Sequence, residues 1–117
     1  MLALPPYTTY PSGHATECRL VAYVLTQLLR DATPSKPRPS QERIDWIDKT
    51  EDLLESLAVR IADNRVVAGI HFPLDGEAGF RLAKFLFDGL VEVRSKPGSS
   101  HGNVYAWLWQ QAVAEWK

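Results

Sequence analysis

The stretch Asp75-Gly76-Glu77-Ala78-Gly79-Phe80-Arg81-Leu82-Ala83-Lys84-Phe85-Leu86-Phe87-Asp88-Gly89-Leu90-Val91-Glu92-Val93 decides the fold class. Its charged residues Glu77, Arg81, Lys84, Asp88 and Glu92 fall at helical steps along one stripe. Glu77 with Arg81 and Lys84 with Asp88 are opposite charges one turn apart, worth ~0.2–0.5 kcal/mol each on a helix surface. Phe80, Leu82, Ala83, Phe85, Leu86, Phe87 and Leu90 cover more than a narrow stripe, so a helix over about 75–93 needs neighbours on more than one side.

Working outward, His71-Phe72-Pro73 breaks a preceding helical pattern in which Ile44, Ile47, Leu54, Ala58 and Ile61 recur. Ser40 is suited to cap that pattern, which reads as one helix or as two with a restart at Thr50. Before it, residues 33–40 form a proline-rich loop holding Pro34, Lys36, Pro37, Arg38 and Pro39. A first helix is expected from His14 to Arg30, with Val21, Val24, Leu25 and Leu28 on one face. Residues 1–13 read as an extended arm, because Pro5, Pro6 and Pro11 fix φ and remove donors. After the central helix, Ser95 to Gly102 reads as a loop. Asn103 is suited to cap a last helix bearing Tyr105, Trp107, Leu108, Trp109 and Trp116. Sustained strand alternation is absent, so the class is all-α: a bundle of about four to five helices.

With 117 residues the chain makes one domain or part of one. Thirteen basic against fourteen acidic residues give a net charge of −1, which leaves no global field to attract nucleic acid. Membrane-length apolar runs are absent, and the start Met1-Leu2-Ala3-Leu4-Pro5-Pro6 lacks the pattern of a signal peptide. Compartment is not readable. One cysteine, Cys18, excludes an intrachain disulfide framework and is expected as a small packing residue. His101 is expected to face solvent in its loop, and the four tryptophans to serve as core or interface.

Two clusters carry chemistry. In Pro11-Ser12-Gly13-His14, a serine and a glycine enter a helix whose first N–H groups lack partners, which suits an anion. His14 adds a group able to exchange a proton near neutral pH. In Arg65-x5-His71-x3-Asp75, arginine is a fork-shaped donor for oxyanions. A carboxylate on one nitrogen of His71 would leave the other free to attack or coordinate. Each cluster taken singly also reads as plain structure: a helix cap, a surface arginine, a loop histidine.

Together, Tyr10-Pro11-Ser12-Gly13-His14-Ala15 and Arg65 through Asp75 resemble the second and third motifs of the type 2 phosphatidic acid phosphatase and vanadium-dependent haloperoxidase superfamily, P-S-G-H and S-R-x5-H-x3-D. The resemblance spans residues 7 to 93. It implies the C-terminal half of that family's helical fold, with a pocket for a tetrahedral oxyanion. Ser12, Gly13 and Arg65 would bind phosphate or vanadate oxygens, and His14 would serve as acid–base residue. His71 would be the phosphoryl-accepting nucleophile or the nitrogen ligand of vanadium, and Asp75 would orient it.

Two departures stand out. Asn64 replaces the family's serine, and the upstream K-x6-R-P motif is missing. Lys36-Pro37-Arg38-Pro39 has the wrong spacing and reads as a stiffened loop. The chain therefore reads as a partial domain, expected to self-associate or to need an N-terminal segment. Three functions follow from the resemblance. One is a haloperoxidase using vanadate, peroxide and a halide. Another is a soluble acid phosphatase acting on phosphate esters without a cofactor. The third is an incomplete fragment or interaction module.

Overall fold

The computed structural model describes residues 9–34, 37–95 and 100–116. Among these residues there are four helices and no strand: α1 (Gly13–Ala32), α2 (Gln41–Val67), α3 (Pro73–Ser95) and α4 (Ser100–Glu115). The all-α reading holds. Residues 1–8 of the expected arm, and Ser35 and Lys36 of the proline-rich loop, lie outside the described residues.

Helix α1 is the hub, packing mainly on α3 and α2 and more lightly on α4. Its inward side matches the face read from periodicity only in part: Leu28 is buried and Val24 and Leu25 are half-buried. Val21 is 54% exposed, whereas Ala15, Thr16, Ala22 and Leu29 are buried. Small residues let helix axes approach: buried Gly79 of α3 lies against Ala15 and Thr16, while buried Gly76 faces Ala62 of α2. Small side chains thus share the inward side of α1 with Leu28 and Leu29.

Helix α2 is continuous through Thr50, whose hydroxyl donates to Trp46 O at 2.7 Å and so stays satisfied inside the helix. Ser40 caps its start as expected, accepting from Arg43 N. Its end is a glycine-terminated Schellman turn. Gly69 has φ 70°, Gly69 N donates to Val66 O, and Ile70 N donates to Arg65 O. Helix α4 already includes Ser100, so it begins before the expected Asn103, and residues 96–99 of the expected loop lie outside the described residues. His101 is therefore helical, and its side chain lies outside the described residues.

The tryptophans do not form a core. Trp46, Trp107 and Trp116 are each about half exposed. Trp109 is the half-buried one, donating to Asp31 Oδ2 at 2.9 Å and stacked under Arg94. That same oxygen accepts from Arg94, so one carboxylate of α1 holds both α3 and α4.

Candidate functional site

Ser12 is the largest of the fully buried side chains. Its backbone is extended, its Oγ accepts from Ala15 N at 3.3 Å, and its carbonyl accepts from Thr16 N and Thr16 Oγ1. Ser12 is thus a true N-cap, the structural role that serine at a helix mouth commonly has. Its remaining group decides what lies nearby: Ser12 N donates to Asp75 O at 2.9 Å. That bond crosses from the mouth of α1 to the first turn of α3 and brings the two sequence clusters together.

Asp75 is 5% exposed and sits third in α3, behind Pro73. Its Oδ2 accepts from Phe72 N at 2.9 Å, as a capping-box carboxylate does for the residue before a helix. The same oxygen lies 3.3 Å from His71 Nδ1, and the His71 side chain is 8% exposed. An ionised carboxylate only accepts, so Nδ1 is the donor in this pair, and in the neutral ring Nε2 is then the nitrogen with the lone pair. The ring is buried beside Asp75 at the start of α3.

Arg65 belongs to the last turn of α2. Its carbonyl accepts from both Ile70 N and His71 N, which ties the chain carrying the imidazole to the arginine. Its Nε is buried and has no hydrogen-bond partner among the described residues. A buried guanidinium nitrogen left unmatched is costly, and an oxyanion is the group such a donor suits. Asn64 is exposed. Gly13 is exposed, and a Cβ placed there would meet nothing within 4 Å. His14 is exposed. Ser12, Asp75 and His71 thus form one bonded group, with Arg65 joined through its backbone. Gly13 and His14 adjoin that group through Ser12 alone.

Arg38 does not join them. It follows α1, whose twenty residues span about 30 Å from Ser12. Cys18 is half-buried beside an apolar groove of about 300 Å³ that Val21, Leu54, Leu57 and Ile61 help to line. Burial pushes its thiol up, and Glu17 adds to the shift, so it has the chemistry of a packing residue. Among the described residues no three His, Cys, Asp or Glu side chains cluster as a metal site. No described helix is long and apolar enough to cross a membrane.

Two residues escaped the sequence reading. Arg19 is buried within α1, pairs with Glu55 and lies 4.5 Å over the Phe80 ring, joining three helices. Gly79 has no room for a side chain. Its signal in the sequence was two glycines, 76 and 79, inside a helix that alanine would favour by ~1 kcal/mol each.

The chain is similar to a vanadium-dependent bromoperoxidase. That protein, from Ascophyllum nodosum, is 33% identical over 91 residues, covering 68% of this chain and 16% of its own length. The chain thus spans about a sixth of the curated relative it matches. No family model and no solved structure matches.

Proposed function

We propose that this chain is a member of the haloperoxidase superfamily and carries the histidine side of a vanadate-binding pocket. The observation that carries this reading is the bonded series Ser12 N to Asp75 O and Asp75 Oδ2 to His71 Nδ1. It unites both motifs and leaves one imidazole nitrogen free. Similarity to the bromoperoxidase supports the oxidative branch over phosphate-ester hydrolysis.

The residues fit such a group. Arg65 offers a buried nitrogen without a partner among the described residues, and Gly13 offers a first-turn N–H at the exposed mouth of α1. In this reading His71 Nε2 is the protein ligand, and Asp75 holds the ring's tautomer and orientation. Ser12 and Gly13 would donate to oxyanion oxygens, Arg65 would offset their charge, and His14 would exchange a proton with reactants. Vanadate, when bound, supplies the Lewis acidity by which peroxide oxidises a halide. The apolar side chains exposed on α1, α2 and α3 support covering of these faces by a further segment or a second copy.

The test is an assay of the full chain with orthovanadate, hydrogen peroxide and bromide beside one with a chromogenic phosphate ester. Vanadate-dependent bromination that is lost in His71→Ala is the expected result. Ester hydrolysis inhibited by vanadate would establish the phosphatase reading instead. Neither activity, with vanadate bound, would mean a binding module that needs its missing cations.

A further inference from the structure

We propose that Gly79 is a positioning residue of this pocket: its missing side chain lets the Ser12 turn lie on α3 and thereby reach His71. The proposal rests on the pocket reading above. Helix α3 holds three glycines, and their surroundings differ. A Cβ at Gly89 would meet nothing within 4 Å, and one at Gly76 would meet Ala62 Cβ at an ordinary 3.7 Å. At Gly79 it would lie 2.7 Å from Ser12 O, 3.0 Å from Ala15 Cβ and 3.1 Å from Thr16 Oγ1.

The nearest of these atoms cannot swing away. Ser12 O is backbone and already accepts from Thr16 N and Thr16 Oγ1. Ser12 N is held at the other end by Asp75 O. Asp75 lies one turn before Gly79, so both face the same neighbour. The Ser12 residue is therefore laid along α3 by its N–H on Asp75 and by its carbonyl against bare Cα at Gly79. A methyl group there forces the mouth of α1 outward and breaks the Ser12–Asp75 bond. The bonds of Asp75 to Phe72 and His71 lie within residues 71–75 and survive. The imidazole stays oriented while the Ser12 and Gly13 donors leave it.

The experiment compares Gly79→Ala with Gly76→Ala and Gly89→Ala in the full chain. It reads helical content, hydrogen exchange at the Ser12 amide, the ¹⁵N shifts of the His71 ring and the Kd for orthovanadate by ⁵¹V NMR. In Gly79→Ala, exchange at Ser12 should accelerate, and vanadate binding weaken, by about tenfold or more, the loss of a charge-assisted or well-set donor. Helical content and the His71 ring shifts should stay as in the wild type, as should every reading in the other two variants. Adding Ala15→Gly removes one of the close contacts and should restore part of both signals. If Gly79→Ala does not fold, that double variant is read in its place. Wild-type protection and affinity in Gly79→Ala would overturn the proposal, as would an equal loss in all three alanine variants. A wild type that binds no vanadate, with Ser12 still deprotected in Gly79→Ala, overturns the pocket reading and leaves the hold of Gly79 on Ser12 standing.

Discussion

At His71 one hydrogen bond decides which ring nitrogen is free. Removing the ring by His71→Ala should abolish oxyanion-dependent activity and lower stability by only about 1 kcal/mol, since Asp75 keeps its bond to Phe72 N. Asp75→Asn keeps the nitrogen and disturbs only its support, so activity should fall about 10- to 100-fold. Steady-state rates and thermal melts of the two variants check both expectations; equal activity in wild type and His71→Ala would refute the assignment. Cys18 gives a second residue-level test. Its raised thiol holds less thiolate at neutral pH, so alkylation of the folded chain should be slow. The rate should rise with a midpoint above that of a free thiol, and Glu17→Gln should bring the midpoint down. Ser12, His71 and Asp75 were legible in the sequence because their chemistry lies in local spacing. Gly79 left only the mark of a glycine pair inside a helical pattern, since its constraint comes from a contact between helices that local spacing does not specify.

The helices show the same division. Periodicity located α1 and α3 to within a few residues, because side-chain spacing and capping are local matters. On α1 it placed Leu28 inward, as found, and missed at Val21, which is exposed. Val21, Val24, Leu25 and Leu28 form a good apolar stripe, yet alanine and threonine win the contact with α3 because close approach needs small atoms. The continuity of α2 at Thr50 was likewise undecided until the hydroxyl's bond to Trp46 O was seen. Helix α4 depends on Asp31, whose Oδ2 accepts from Arg94 and from Trp109. Asp31→Ala strands both donors and should cost about 1.5–3 kcal/mol, the range for bonds to charged groups. Trp109 fluorescence should shift to the red while helical content holds; an unchanged spectrum and melting point would show that α4 docks by other means.

Across the whole molecule, the buried apolar set is small and dominated by alanine, while Leu53, Leu57, Phe72, Leu74 and Phe85 are all more than half exposed. The shortest dimension is 20 Å, about two helix layers, and the radius of gyration is 17.1 Å against about 13 Å for a compact domain of this length. Burying each large apolar side chain is worth ~1.5–3 kcal/mol, so these faces should drive association. Sedimentation at tens of micromolar should give species heavier than 13.2 kDa, and a compact monomer would contradict this. The central claim is that Ser12, Gly13, Arg65 and His71 together bind a tetrahedral oxyanion. Titration of orthovanadate into the ¹⁵N-labelled full chain tests it most directly. Saturable shifts at the Gly13 and His71 amides, displaced by phosphate and lost in His71→Ala, are the predicted result. No shift at millimolar vanadate, or the same shifts in His71→Ala, would contradict it.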